Sequence, residues 1–430
     1  MTAVLVTFGG YAGTHAGAER MAWRTSEHLA RQGHCVHALT DSRPPDDLDP
    51  ALVHIHRDES ELDPGPVQAD RGGGDPDPRL PRTNRGAGDA GPRLPRTDRG
   101  KNDLDPRSLR TDRGKGEVDP RSIRADLGER GQRFPGSRYS GEDPDRAWRA
   151  DIVHAYDLAK PRHIASALRL AGRCGARLAL TPATAPELWP DRELGRIACR
   201  RAGIIYALTE AEAGELRRFG AESARIRQIP HAPDLCGEPE PDRIRDRLCL
   251  GGPVVVFAGR RIPSKGYAEL LRAAPLVWRT LPETRFVFLG PDGDPAAAET
   301  FRAHADPRIL DLGVVDEPTK RDVLAAGAVL CLPTSADVFP LVFLEAWASG
   351  IPVVTGDFPG VHDIVADGVD GLVVTPRPTE IAAALVRLLT DEPARRAMGR
   401  AGQTRVRADF TWDRVAERVA AGYAEIRGTT

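Results

Sequence analysis

The sequence has little with which to grip a nucleic acid or a membrane. Lys and Arg total 60 against 62 Asp and Glu, and a net charge of −2 leaves no basic excess for a phosphate backbone. Aromatic residues make up 5% of the chain, too few for a stacking platform along a strand. No apolar run reaches the roughly 18 residues that cross a bilayer. The opening "MTAVLVTFGG" has no basic stretch before its short apolar run, so it does not read as a signal peptide. Six cysteines, at positions 35, 174, 199, 236, 249 and 331, never fall in CxxC spacing. They suggest neither a zinc ribbon nor a thioredoxin motif, and they fit a reduced, cytoplasmic compartment.

What is present is the composition of a globular protein, 40% hydrophobic and 28% charged, in 430 residues long enough for two or three domains. One segment stands apart. Asp-Pro recurs at 63, 77, 105 and 119, Gly91-Pro92 fills the missing slot, and the step is 14 residues. "ADRG", "TNRG", "TDRG", "TDRG" and "ADLG" begin at 69, 83, 97, 111 and 125 with the same step. Units so poor in large apolar residues cannot offset the entropy of ordering, so residues 60–146 are expected to be a disordered insertion.

The remainder alternates strands and helices. "AVLVTF" reads as a buried strand, a Gly-rich turn follows, and a helix is expected from Ala18 to about Arg31. "CVHALT", "ALVHIH", "DIVHAY", "RLALT" and "GIIYAL" continue the pattern. A second copy begins at "GGPVVVFAG", with "RFVFL", "AVLCLP", "IPVVT" and "GLVV" as its later strands. The expectation is an α/β chain of two Rossmann-like, doubly wound domains facing a cleft. The boundaries read as 1–235 for the N-terminal domain, 236–250 for a linker, 251–408 for the C-terminal domain and 409–430 for a final helix.

The chemistry concentrates in two stretches. "FAGRRIPSKGYAEL" follows a strand and opens a helix; Gly259 and Gly266 permit close backbone approach, and Arg260 and Lys265 bring two cations to one loop. "DVFPLVFLEAWASG" places Asp337 and Glu345 around a run with no other charge. A buried, unpaired carboxylate costs several kcal/mol, so each acid must reach water or a polar partner. Asp337 also suits a helix N-cap. "DGD" at 292–294 has the look of a metal-binding pair of acids but lies in a glycine turn after "RFVFL", and is read as a turn.

Taken together, "AGAER", "GRRIPSKG", "FLGPDGD" and "CLPTSADVFPLVFLEAWASGIPVVTGDFPGVHDIVADGVDGLVV" resemble the retaining GT-B glycosyltransferases of glycosyltransferase family 4. The likeness is strong from Pro253 to Tyr423, weaker over 1–56 and 151–235, and absent from the repeats. It implies a sugar moved from a nucleotide-diphosphate sugar, a UDP- or GDP-sugar, to an acceptor hydroxyl of a small molecule or glycan. The nucleotide sugar is a co-substrate; no cofactor and no metal are implied. Arg260 and Lys265 fall where the family holds the diphosphate. Asp337 and Glu345 fall at the ends of its E-x7-E motif, the first toward the donor sugar and the second toward the ribose. Gly17, Gly259, Gly290, Phe339, Pro340, Leu341 and Val342 border the donor, and His154 stands at the acceptor-side edge. The chain departs from the pattern at Asp337 (usually Glu), Pro340 (usually Gly), His362 and Asp363 (usually Pro-Glu), and at "IPHAPDL" in place of "IPNGVDL". Two other functions fit the same motifs: a catalytically weak sugar-nucleotide-binding scaffold, and an epimerase acting on the sugar nucleotide itself.

Overall fold

The structure, a computed structural model, describes residues 1–10, 17–57, 149–235 and 237–428. The 14-residue repeats lie outside the described residues. In the N-terminal half the order is β1 (Ala3–Phe8), α1 (Gly17–Arg31), β2 (Cys35–Thr40), β3 (Val53–His56), β4 (Ile152–Tyr156), α2 (Pro161–Cys174), β5 (Arg177–Thr181), α3 (Arg192–Arg201), β6 (Ile204–Ala207), α4 (Glu210–Arg218) and β7 (Ile226–Gln228). In the C-terminal half it is α5 (Pro241–Arg247), β8 (Val254–Ala258), α6 (Tyr267–Trp278), β9 (Arg285–Leu289), α7 (Ala297–Ala303), β10 (Ile309–Gly313), α8 (Glu317–Ala326) and β11 (Val329–Leu332). There follow α9 (Leu341–Ala348), β12 (Val353–Gly356), α10 (Val361–Ile364), β13 (Gly371–Val374), α11 (Pro378–Thr390), α12 (Glu392–Asp409) and α13 (Trp412–Arg427).

The strands form two all-parallel sheets, ordered β3-β2-β1-β4-β5-β6-β7 and β10-β9-β8-β11-β12-β13. Parallel strands are joined through helices that cover both faces, so central strands read as unbroken apolar runs. The β8 run "VVVFA" is buried at every position. In each sheet the strand order reverses once, between β1 and β4 and between β8 and β11. Ligands of such sheets bind at those reversals, outside the carboxyl ends of the strands. The loops after β8 and β11 are the glycine-bearing and acidic stretches singled out above, and Gly9 and Gly10 follow β1.

The last helix does not simply append to the C-terminal half. Trp412, Val415, Val419, Tyr423 and Ile426 of α13 pack into one core with Val4, Val6, Val36, Ile152 and Tyr206 of the N-terminal sheet. Helix α13 therefore belongs to the core of the N-terminal half.

The site between the two halves

On the C-terminal side, two glycines bring loops together. Gly290 has φ +124°, and a Cβ there would lie 2.1 Å from the Gly259 carbonyl oxygen. Gly266 has φ +71°, and a Cβ would lie 2.3 Å from the Pro333 carbonyl oxygen. Only glycine fits either place. Hydrogen bonds then fasten the 263–266 turn to the loop after β11: Thr334 Oγ1 donates to the Ser264 carbonyl at 2.9 Å, and the Ser335 amide donates to the same oxygen at 2.8 Å. This fastening sets the Lys265 ammonium against the Asp337 carboxylate, and the two form an ion pair.

Neighbouring arginines take opposite roles. Arg261 is 4% exposed, bonds Asp292 at 2.7 Å and Asp311, and lies over the Phe301 ring at 4.9 Å. It anchors the loop. Arg260 is exposed. The "DGD" acids are occupied structurally: Asp292 holds Arg261, and Asp294 accepts from Tyr267 Oη at 2.8 Å and from the Ala296 amide at 2.9 Å.

Asp337 is not a helix cap. The N-cap of α9 is Pro340, and Asp337 Oδ1 accepts from the amide of its own neighbour Val338 at 2.8 Å. The α9 N-terminus opens after the β11 loop, and the first amides of a helix, here those of Leu341 and Val342, have no acceptor within it. Phe339 is half-buried and packs toward His231, ring centroids 6.0 Å apart.

Glu345 is 8% exposed and meets cations rather than water. Lys320 Nζ lies 2.9 Å from its Oε1, and Arg20 Nη1, from the other half of the molecule, lies 3.4 Å away. Arg20 also reaches Glu317 at 3.2 Å and Asp234 at 3.5 Å. Burial disfavours the Arg20 charge, but Glu317, Glu345 and Asp234 overcome it and raise its pKa. Neither Arg20 nor Lys320 was assigned a role from sequence. "AGAER" pointed at the first, but nothing local marks a pairing across 325 positions.

Gly17 begins α1 and faces Leu341; a Cβ on it would stand 3.7 Å from Leu341 Cδ1. Its carbonyl is held by His231, a residue of "IPHAPDL" that the sequence flagged only as a departure. His231 Nδ1 accepts the Ala232 amide at 2.9 Å, so its Nε2 proton is directed at the Gly17 oxygen, 3.2 Å away. Burial pushes its pKa down to about 4, and the ring is a neutral positioner.

His154 requires a correction. It does not line the cleft: it is 0% exposed, in the middle of β4. Its Nδ1 lies 2.6 Å from Tyr423 Oη and its Nε2 2.8 Å from Thr181 Oγ1, and burial lowers its pKa to about 3. The histidine is a satisfied polar group in the core, locking α13 to the sheet.

Two parallel, doubly wound halves with a cationic, glycine-shaped site between them define the GT-B architecture. Comparison with known proteins agrees. "Glycosyl transferase 4-like domain" matches residues 16–232 and "Glycosyl transferases group 1" matches residues 252–391. The chain belongs to this family of group 1 glycosyl transferases. It is 32% identical over 272 residues to a D-inositol 3-phosphate glycosyltransferase of Jonesia denitrificans, covering 58% of this chain. The match spans only 63% of that relative's length. It is 30% identical over 301 residues to a glycogen synthase of Mycobacterium tuberculosis, 65% of this chain and 70% of that one. Among solved structures, HepE of Anabaena in complex with UDP and glucose superposes with a TM-score of 0.64 at 14% identity, over 99% of this chain and 100% of that one.

Proposed function

We propose that the protein moves a sugar from a nucleotide-diphosphate sugar to an acceptor hydroxyl, with retained anomeric configuration, without a metal ion, in the cytoplasm. The observation that carries the reading is the meeting of Arg260, Lys265 and the α9 N-terminus at one strand-order reversal, opposite Gly17 and Arg20. As the bond from the anomeric carbon to the diphosphate breaks, negative charge gathers on the leaving oxygen. Arg260, Lys265 and the Leu341 and Val342 amides stabilise it there, the work a metal does elsewhere. Arriving diphosphate takes Lys265 from Asp337, and the freed carboxylate turns to the donor sugar's hydroxyls.

The ion pairs favour retention. Glu345 stays tied to Lys320 and Arg20, while Asp337, once freed, is engaged by the donor sugar's hydroxyls. A carboxylate neutralised by a cation is a weaker base and nucleophile. Same-face attack by the acceptor hydroxyl, its proton passing to the leaving phosphate oxygen, needs neither acid as a nucleophile. A UDP- or GDP-sugar is the proposed donor, a choice supported by the UDP held in HepE, a protein of like fold. A small molecule or glycan is the proposed acceptor. Among the described residues no helix is long and apolar enough to cross a membrane.

The test is turnover on a panel of UDP- and GDP-sugars with sugar and polyol acceptors in EDTA, with product configuration read by NMR. Transfer in EDTA with the donor's anomeric configuration is expected. Turnover abolished by EDTA and restored by Mg2+ would overturn metal independence, and an inverted product would overturn retention. An altered sugar nucleotide without an acceptor adduct would mark an epimerase.

A further inference from the structure

Strands β2 and β3 carry "CVHALT" and "VHIH" side by side at the edge of the N-terminal sheet. Alternation along a strand puts Cys35 and His37 on one face. The register pairs His37 with His54 and Leu39 with His56, so the β3 imidazoles share that face. Val36, Ala38 and Val53 take the opposite face and enter the core that includes α1. Four potential metal ligands therefore project together, on the face opposite Val36, Ala38 and Val53.

We propose that Cys35, His37 and His54 form a metal site for a zinc-class divalent cation, independent of the sugar-nucleotide cleft. Their ligand atoms all lie within 4.8 Å of one another. Donors around a tetrahedral zinc, with bonds near 2.0–2.3 Å, stand about 3.5 Å apart, so small side-chain rotations complete the site. A thiolate with two imidazoles is the soft, nitrogen-rich set that zinc accepts and magnesium or calcium does not.

The surroundings fit a ligand set. His56 Nε2 lies 2.8 Å from His37 Nδ1, with the two rings stacked at 7° and 5.1 Å between centroids. In the tautomer that carries the His37 proton on Nδ1, toward His56, the lone pair lies on Nε2. Metal-binding histidines are oriented in this way by a partner on the other ring nitrogen. The His54 ring sits 4.6 Å from that of His37. His54 is exposed and Cys35 half-buried, which leaves an entry path and room for a water as fourth ligand. Cys35 begins β2, so the site lies toward the amino ends of the strands, while the cleft opens at the carboxyl ends. The metal would tie the four-residue edge strand β3 to β2, a structural role.

The test uses the full chain, stripped with chelator and dialysed, then titrated with Zn2+ by calorimetry and with Co2+ by absorption. One zinc per chain, a thiolate-to-cobalt charge-transfer band and a higher Tm with zinc are expected. Cys35→Ser should abolish the band and weaken zinc binding by about 100-fold, and His54→Ala should weaken it at least about tenfold. In chelator, His54→Ala should melt with the wild-type chain, because an exposed imidazole contributes little to the apo fold. UDP or GDP affinity should be the same with and without zinc, which separates this site from the proposed transfer. Absence of saturable zinc binding, or a cobalt band that survives Cys35→Ser, would overturn the proposal.

Discussion

Arg260 and Lys265 share one loop but answer to different partners, and mutation should separate them. Each is expected to contribute a charge-assisted contact to the donor, on the order of 1.5–3 kcal/mol. Arg260→Ala should weaken nucleotide binding about 10- to 100-fold while leaving Tm unchanged, because the side chain is exposed. Lys265→Ala should lose affinity and stability together, since it leaves Asp337, 16% exposed, without its cation. Equal Tm for the two variants, read by thermal melting, would count against that ion pair. Tyr423→Phe tests the corrected place of His154. It removes the hydroxyl facing Nδ1 in a fully buried site and should cost roughly 1–3 kcal/mol, with kcat unchanged. A loss of kcat with unchanged stability would return His154 to the reaction. The residues legible in the sequence were those marked by a local pattern, cations and glycines in the turn that follows a buried strand, such as Arg260, Gly266 and Lys265. "DIVHAY" itself argued for burial, because a strand inside a parallel sheet has no solvent face; likeness to a family position outweighed that signal.

At the scale of elements, the central strands were readable and two edge strands were not. β7 (Ile226–Gln228) is half-exposed or exposed throughout, and β10 (Ile309–Gly313) has no buried residue, so neither shows the apolar run of an inner strand. Helix α4 shows how short elements cooperate across the cleft. Thr209 caps it by accepting the Glu212 amide at 3.1 Å, and Glu212 Oε2 accepts the Leu208 amide at 2.6 Å, a variant of the capping box. From the other half, Asp363 of α10 accepts the Glu210 amide at 2.7 Å, a carboxylate at the positive end of the helix. Burial raises the Glu212 pKa from 4.5 to about 7. Between those two pH values the folded chain keeps a proton that the unfolded chain has lost. The contribution of Glu212 to stability therefore falls as pH rises through that window and stays low above it. Glu212→Gln should match wild type near the bottom of the window and melt higher at pH 8, by on the order of 2 kcal/mol. A difference that does not change with pH, measured by melting across that range, would contradict the assignment.

Over the whole molecule, the two halves are joined by charge as well as by chain. Arg20 crosses to Glu317 and Glu345, and α13 returns from the C-terminal half to complete the N-terminal core. Neither link was visible in sequence, because each pairs residues hundreds of positions apart with no local pattern. Arg20→Ala should loosen closure over the donor. The expected result is a higher KM for donor and more donor hydrolysis by water, with Glu345 still paired to Lys320 and Tm lowered only modestly. Acid should destabilise the whole chain. His154 and His231 are held neutral by burial, with pKa values of about 3 and 4 against an ordinary 6.5. Below about pH 6.5 the unfolded chain gains protons that the folded chain does not, so stability falls as pH drops through that range, two groups outweighing the opposite slope of Glu212. The most direct test of the central claim is calorimetric titration of UDP and GDP into the protein in EDTA, repeated with Arg260→Ala. The account predicts saturable binding of at least one of these nucleotides without metal, weakened tenfold or more in a variant of unchanged Tm. No binding in EDTA, or equal affinity in Arg260→Ala, would contradict it.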